Sequence, residues 1–426
     1  MTNTYIWKKN NKLWLPKEKD KFTIENKNLS WFDCNVKLYK KSNKVKILDH
    51  SENLLRAKKI KLYFTPEQRK KIISIIGTCR YVYNLTLKFI RTHDVNIHKY
   101  NFIKLRKLIT SILPIWTHST PKHILDQQIN DICKAYKTSF ALLKNKQINH
   151  FDVKNKSNKY PKETICIESC CFSKNQNTFC TTLLGNNIKS SESFIGTLKD
   201  SRLTWNKRLN EFYLFVPIDK ELQQSATSKY KFIALDPGCR TFQTGFSNGH
   251  VVEIGTDVKS KITKINKEID IITSKQSQSK TIKKKYNRAY FLKQKKKENL
   301  INELHWKTIN FLCKNYNEIV IGDMSTAGVS CNLTSKLNKS TKRELYGMEH
   351  YKFRTRLQEK CVEHGCKFNI IPESYTSKTC TNCGNIKNDL GGNKIYKCSK
   401  CGMVLDRDVN GARNIYIKHT TLVSAL

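Results

Sequence analysis

The sequence predicts a multidomain α+β protein, on three observations. The chain has 426 residues, 38% of them hydrophobic, enough for about three domains with cores of their own. Its apolar spacing is helical from about residue 66 to 147 and shortens to strand-like runs from about residue 160. From residue 230 onward, short apolar runs alternate with helical stretches and open on a hairpin, the pattern of an α/β core.

Residues 1–54 are rich in lysine and asparagine without a clear period and read as a loosely ordered basic extension. Residues 59–64 alternate like a strand. Thr65, Pro66 and Gln68 then read as N-cap, first helical residue and closing member of a capping box. That helix should run through Ile72, Ile73, Ile76 and Tyr83. A second helix is expected over 124–143, with Ile129, Ile132, Tyr136 and Phe140 on one stripe. Residues 163–171, 178–184 and 194–199 are short strand candidates, and 203–216 reads as a hairpin. This half reads as a small β-barrel interrupted by a helical insertion.

Residues 224–229 read as a linker, and 230–235 as a buried strand ending at Asp236-Pro237-Gly238. A hairpin turning at Asn248-Gly249 follows. One or two long helices should fill 256–317, with a very basic stretch at 283–297. A second buried strand is expected at 318–321, a helix over 341–364, a third strand at 366–371 and a closing helix over 410–417. Strands and helices in this order suit an RNase H-like α/β core.

Charge indicates the class of partner. Lys and Arg number 78 against 35 Asp and Glu, a net charge of +43. A surface this unbalanced repels itself unless a polyanion neutralises it, which points to nucleic acid. The lysines are spread over the whole length and no apolar run approaches 18 residues, so no membrane partner is expected. Residues 1–12 are polar, aromatic and basic, unlike a signal peptide. An intracellular, reducing location is expected for the 16 cysteines, nuclear if the source is a eukaryote or a virus of eukaryotes.

Four of those cysteines form two C-x-x-C pairs, Cys380 with Cys383 and Cys398 with Cys401, with 14 residues between the pairs. Four thiolates at this spacing fit a closed, structural Zn²⁺ site. Gly384 and Gly402 follow each pair, where a tight knuckle turn favours glycine. Acids lie nearby. Phosphodiester hydrolysis with two Mg²⁺ ions needs two or three carboxylates converging from different elements. Asp236 ends an apolar strand, so its carboxylate can stand free at the strand edge, although Asp-Pro-Gly is also an ordinary turn. Asp408 lies where the chain enters the last helix, as a ligand or as that helix's N-cap. Asp406 suits either job, and Asn410 and Arg413 lie within reach of a phosphate.

Together these segments resemble the TnpB group of transposon-associated RNA-guided nucleases, above all its Fanzor-type members from eukaryotes and giant viruses. The resemblance rests on Lys61-Leu62-Tyr63, on Gly77-Thr78-Cys79-Arg80-Tyr81-Val82-Tyr83-Asn84, on Asp236-Pro237-Gly238 with Arg240-Thr241-Phe242, on Ile319 to Met324, and on Tyr375 to Cys380 with Asp406 to Asn414. It implies a RuvC-like nuclease domain (229–375 and 403–426) with an inserted zinc ribbon (376–402). It also implies a wedge β-barrel (55–66 and 159–228) interrupted by a helical recognition domain (67–158). The activity implied is Mg²⁺-dependent cutting of double-stranded DNA under a guide RNA, by a protein encoded with a mobile element. Asp236 would be the first catalytic acid and Asp408 the third. The sequence departs from the bacterial pattern at the second, where Gly322 stands in place of the usual Glu. Asp323 should face the other side of that strand. Fanzor-type relatives also lack this Glu and carry one further along, matched here by Glu373, which on its own also reads as an exposed loop residue.

Lys61, Arg80, Tyr81, Lys284, Arg288 and Arg413 are candidate nucleic-acid contacts. The lysines of 283–297 suit phosphate tracking or a solvated helix face, and Trp205, Tyr213 and Tyr81 suit base stacking or a core. No DNA-reading helix is visible, as befits a protein that leaves sequence reading to a guide. Two other readings stay open: a non-cleaving RNA-guided DNA-binding protein, motivated by Gly322, and a DNA strand-transfer transposase.

Overall fold

The computed structural model describes residues 53–93, 102–221, 230–330 and 337–424. All but the last two residues of the basic extension, and the linker expected at 224–229, lie outside them. The chain divides into two compact units, one built from residues 55–220 and the other chiefly from 221–426.

In the first unit β1 (Asn53–Tyr63) leads into α1 (Pro66–Thr92) through the expected cap. Gln68 N donates to Thr65 Oγ1 at 3.2 Å, and Thr65 N donates to Gln68 Oε1 at 3.0 Å, so two orphan amides of the first turn are satisfied. Next come α2 (Phe102–Ser111), α3 (Lys122–Lys144), β2 (Lys162–Ile167), α4 (Thr181–Leu184), β3 (Lys189–Ser190), β4 (Ser201–Asn206) and β5 (Glu211–Glu221). The strands form one sheet ordered β2-β4-β5-β1-β3. Ile72, Ile76 and Leu87 of α1 and Ile129 and Ile132 of α3 share a buried cluster with Ile165, Leu203 and Leu214 of the sheet.

Neither 178–184 nor 194–199 is a strand. Cys180 takes a left-handed φ of 49°, and the next four residues wind into α4, closed by Gly185 at φ 78°. Residues 194–199 form turns. Their apolar side chains mislead because Phe179, Leu184 and Phe194 drop singly into the core instead of alternating across a sheet. β2 likewise stops at Ile167, and Ser169–Cys171 is a 3-10 turn.

In the second unit β6 (Tyr230–Pro237), β7 (Gln243–Ser247) and β8 (His250–Ile254) form an antiparallel meander. Asn248 and Gly249, at φ 34° and 90°, make its tight turn. The long helices α5 (Val258–Ser277) and α6 (Lys280–Asn315) part at Ser279, whose side chain caps α6 by accepting from Ile282 N. β9 (Tyr316–Gly322) runs parallel to β6. After α7 (Thr326–Ser330), α8 (Lys339–Gly347) and α9 (His350–Glu363), β10 (Lys367–Ile371) runs parallel to β9. The sheet order is β10-β9-β6-β7-β8. A ribbon of β11 (Ile395–Lys397) and β12 (Val404–Asp406) leads into α10 (Arg407–Ser424).

Alternation along the strands gives this sheet two faces. Ile233, Leu235, Ile319 and Ile321 pack with residues of α5, α6 and α9. Phe232, Ala234, Val320 and Ile371 pack with Ile415 and Tyr416 of α10. Among the described residues no helix is long and apolar enough to cross a membrane.

The helix expected over 341–364 is two helices, broken at Glu349 with φ 52°. The break turns the Met348 carbonyl toward α6, where His305 Nε2 donates to it at 2.9 Å. Arg356 Nη1 donates to His305 Nδ1 at 3.2 Å. A carbonyl only accepts and a guanidinium only donates, so His305 is held as one neutral tautomer. Burial pushes its pKa down to about 4, against the pull of the Met348 bond.

Because the folded pKa lies below that of the unfolded chain, the stability this ring confers is whole above about pH 6.5 and is lost as pH falls toward 4. The advantage of the wild type over His305→Gln in unfolding free energy should shrink by on the order of 2 kcal/mol between pH 6.5 and 5. Denaturant titrations at the two pH values measure it, and a difference independent of pH would refute the neutral, buried ring.

Candidate active site

Three strands end level with one another at one edge of the second sheet. Leu235 pairs with Ile321, and Ile371 pairs with Gly322. Asp236 therefore stands one step past Leu235, beside Gly322. By alternation it shares the α10 face with Phe232 and Ala234, and it is only 9% exposed. Gly411 of α10 lies directly against it: a Cβ there would fall 2.5 Å from Asp236 Oδ2. Only glycine permits that approach.

Glu373 follows β10 by two residues, and its side chain folds back over β9. A Cβ on Gly322 would fall 1.9 Å from Glu373 Oε1 and 2.4 Å from its Cγ. The strand position that lacks an acid is thus the resting place of another acid's side chain. The backbone around Glu373 is pinned. Its amide donates to Asp323 Oδ1 at 2.9 Å, and its carbonyl accepts from Thr376 Oγ1 at 2.8 Å. Lys418 Nζ of α10 donates to Pro372 O at 3.1 Å and to Ser374 O at 2.9 Å. Glu373 is half-buried, unlike a loop residue in solvent, and its Oε1 is buried without a hydrogen-bond partner.

Asp408 lies in the first turn of α10, which starts at residue 407 rather than 410. Asp406 takes the capping role, its Oδ1 accepting from Asp408 N at 2.8 Å, so Asp408 is released from it. Asn410 does not stand at the surface. It is buried, and its Nδ2 donates to Thr379 O at 2.7 Å. One turn on, Asn414 Nδ2 donates to Thr376 O at 2.7 Å and Thr379 O at 2.8 Å. These two amides fasten α10 to the segment leading into the ribbon. Arg413 is buried as well, its guanidinium 5.6 Å from the centre of the Phe246 ring. It lies on the side of α10 that packs against the sheet, not on the surface where a phosphate contact was expected.

Burial and neighbouring acids raise all three carboxyls against the pull of nearby cations. The pKa of Asp236 is raised well above the usual carboxylate range by burial, then by Glu373 and Asp408. Glu373 is raised to about 7 by burial and then Asp323, with the Met324 amide, Arg354 and Lys418 opposing. Asp408 is raised by burial and then Asp406, with Arg240, Arg407 and Lys394 opposing. Carboxylates whose charged forms are disfavoured by burial and by neighbouring acids suit a hard divalent cation, whose charge reverses the penalty. The unpartnered Glu373 Oε1 is an oxygen such a cation would satisfy, so these residues fit Mg²⁺. The three carboxylates are not gathered within 4.8 Å of one another.

The four ribbon cysteines are so gathered. Cys380 Sγ lies 3.6 Å from Cys401 Sγ, and Cys383 Sγ 3.6 Å from Cys398 Sγ. Tetrahedral zinc with bonds of about 2.3 Å sets sulfurs about 3.8 Å apart, so the residues fit structural Zn²⁺. Gly384 and Gly402 both sit at φ 71°, and their amides donate to Cys380 O and Cys398 O.

The remaining candidate contacts are dispersed. Lys61 pairs with Glu211 at 2.8 Å and Arg80 with Glu163 at 2.5 Å. Tyr81 rests on Trp116 at 4.9 Å between ring centroids. Trp205 stacks on Phe212, and Tyr213 Oη donates to Glu211. Lys284 and Arg288 stand exposed one turn apart on α6. Sequence reasoning missed Lys418 and the docking role of Asn414. Only the Asn410–Asn414 spacing, one helical turn, could have signalled it.

Parts of this chain are similar to known proteins. Residues 350–415 match the family described as Cas12f1-like, TNB domain, and residues 53–92 match one described as a helix-turn-helix domain. In this chain the latter residues are β1 and α1. A TnpB-like protein of Acanthamoeba polyphaga mimivirus is 30% identical over 401 residues, 89% of this chain and 76% of its own. InsQ of Escherichia coli strain K12, named as a candidate RNA-guided DNA endonuclease, is 22% identical over 85% of this chain and 91% of its own. Among solved structures, the Cas12f1–sgRNA–target DNA complex is similar over 86% of this chain and 99% of that one, at TM-score 0.47 and 12% identity.

The close approach at Gly322 can be tested without any activity. Gly322→Ala should cost about 1–3 kcal/mol of unfolding free energy by displacing Glu373. In a Glu373→Ala background the cost should fall by at least about 0.5 kcal/mol. Equal costs in a denaturant double-mutant cycle would show that Glu373 does not fill the space over Gly322.

Proposed function

The chain belongs to the TnpB/Fanzor-type family, and on that premise we propose that it is an RNA-guided endonuclease hydrolysing DNA phosphodiesters at Asp236, Glu373 and Asp408. The observation that carries this reading is the Glu373 carboxylate resting over Gly322 beside Asp236. It provides an acid from a third element where the strand itself has none, and so weakens the case for a non-cleaving binding protein. An antiparallel meander extended by two parallel strands supports a RuvC-like core. The five-stranded sheet with α1, α2 and α3 inserted between β1 and β2 supports the wedge barrel and helical recognition insertion.

Magnesium held by these carboxylates would supply the charge that activates water and stabilises the leaving oxygen. The chain's own residues set the stage. Gly411 admits Asp236 beneath α10, and Asp323 and Lys418 hold the backbone of Glu373. Arg240, Arg407 and Lys394, which act on Asp408, give the rim a positive potential that draws a phosphate toward the acids. The ribbon braces α10 through Asn410 and Asn414. The net charge of +43, with Lys284 and Arg288 exposed on α6, fits a guide RNA and a double-stranded DNA target. The name of InsQ supports the same partners.

Protein purified with its copurifying RNA should cut a duplex matching that RNA in Mg²⁺. Asp236→Ala, Glu373→Gln and Asp408→Ala should each lower cleavage at least about a hundredfold, as loss of a charge-stabilising group does, with RNA retained. Asp323→Ala, acting only through the Glu373 backbone, should lower it less. Wild-type cleavage by Glu373→Gln would remove that residue from the site. Target binding without cleavage under any divalent cation would favour the binding-protein reading, and guide-independent joining of transposon ends would favour the transposase reading.

A further inference from the structure

A different ligand cluster lies in the 55–220 unit. His123 stands in the first turn of α3, and Glu168 and Cys170 in the turn that follows β2. Glu168 Oε2 is 3.0 Å from His123 Nδ1 and 3.6 Å from Cys170 Sγ, and the three ligand atoms lie within 4.8 Å of one another. We propose that His123, Glu168 and Cys170 form a second metal site, for a divalent cation of the zinc class, with its fourth position open to water.

The distances suit such an ion. Bonds of about 2.05 Å to nitrogen, 2.1 Å to oxygen and 2.3 Å to sulfur at tetrahedral angles place nitrogen about 3.4 Å and sulfur about 3.6 Å from the oxygen. Side chains already at 3.0 and 3.6 Å need little movement. The carboxylate is also oriented from behind. Gln127, buried and one turn past His123, donates from Nε2 to Glu168 Oε1 at 2.6 Å. Asn130 Nδ2 donates in turn to Gln127 Oε1 at 3.1 Å. Oε1 is thereby occupied, and Oε2 is the oxygen that faces the imidazole and the thiol. Outer hydrogen bonds of this kind fix the direction of metal ligands.

The turn carrying two of the ligands is itself held. Ser169 N donates to Asp200 Oδ1 at 2.9 Å, and Cys171 N donates to Glu168 O at 3.0 Å. A His–Glu ion pair alone would bring one group to this oxygen; here the thiol of Cys170, two residues on in the same turn, reaches it as well. A mixed nitrogen, oxygen and sulfur set selects zinc-class ions over magnesium, so this site is chemically distinct from the three acids. His123 and Cys170 are exposed, which gives the ion a path in and leaves its fourth position to solvent. The ion would tie the start of α3 to the turn after β2.

Full-length protein is loaded with ZnCl₂, desalted, and its zinc per chain measured. The wild type should hold two ions. Cys170→Ser and His123→Gln, both changes to exposed side chains, should each hold one. Cys398→Ser should lose the ribbon ion and keep the other, and the Cys170→Ser/Cys398→Ser double variant should hold none. Circular dichroism confirms that each variant keeps its helices. One zinc in the wild type, or two retained by either single variant of this cluster, would overturn the site.

Discussion

Buried Asp236 feels the charges of Glu373 and Asp408, both half-buried at the same end of the sheet, and the 221–426 unit is arranged around that constraint. The charged forms of Asp236, Glu373 and Asp408 are all disfavoured where they stand. The fold does not relieve this by letting them drift apart; it holds each from a separate direction. Asp236 is fixed by strands on both sides of β6. Glu373 is fixed by Asp323 across the sheet edge and by Lys418 from the helix above. Asp408 is fixed by a helix that Asp406 caps and that two asparagines fasten down. A divalent cation bound there, as proposed, would meet ligands already in position, so most of the ordering cost of assembling them would be met during folding rather than on binding.

The two glycines under the site belong to the same logic. At Gly411 and Gly322 a methyl group would collide with the carboxylate of Asp236 or Glu373. Each acid therefore lies flat against a neighbouring backbone instead of pointing into open solvent. That contact strips water from the carboxylate, which is the largest cause of the raised pKa in all three acids. Gly322 is the more telling case. A glycine where an acid was expected looks like a lost ligand, yet the space it leaves is what lets Glu373 reach back beside Asp236.

Features set by a few neighbouring residues were legible in the sequence: the Thr65–Gln68 capping box, the Asn248-Gly249 turn and the two cysteine knuckles all stand as read. What depends on distant partners was not. No spacing rule joins Gly322 to Glu373. Resemblance alone nominated that acid, and its close approach to Gly322 is visible only in the folded chain. The helical period runs unbroken through 341–364 because Met348 is itself a buried residue. The break there coincides with a hydrogen bond to His305, 43 positions away. Asn410 and Arg413 look like phosphate contacts because they are polar and follow acids. Their helix face instead packs inward on the sheet and the ribbon, a fact of tertiary structure that composition cannot carry.

The ribbon matters to the acids because of where it interrupts the chain. It lies within the 34 residues that separate Glu373 from Asp408. Closing a flexible excursion of that length costs about 3 kcal/mol in chain entropy, and the two acids would have to meet that cost each time they came together. The ribbon packs the excursion into a small body whose own core is Cys380, Leu390, Tyr396 and Cys398, and an ion held by its four cysteines would fix that body further. That body is useful only if its position is passed on to the acids. The carbonyls of Thr376 and Thr379, at its start, do this by accepting from Asn414 and Asn410 of α10. Thr376 also donates to the carbonyl of Glu373. One short segment therefore touches both Glu373 and the helix that carries Asp408, so on the proposed function the cysteine cluster would act as a positioning device for chemistry it does not perform.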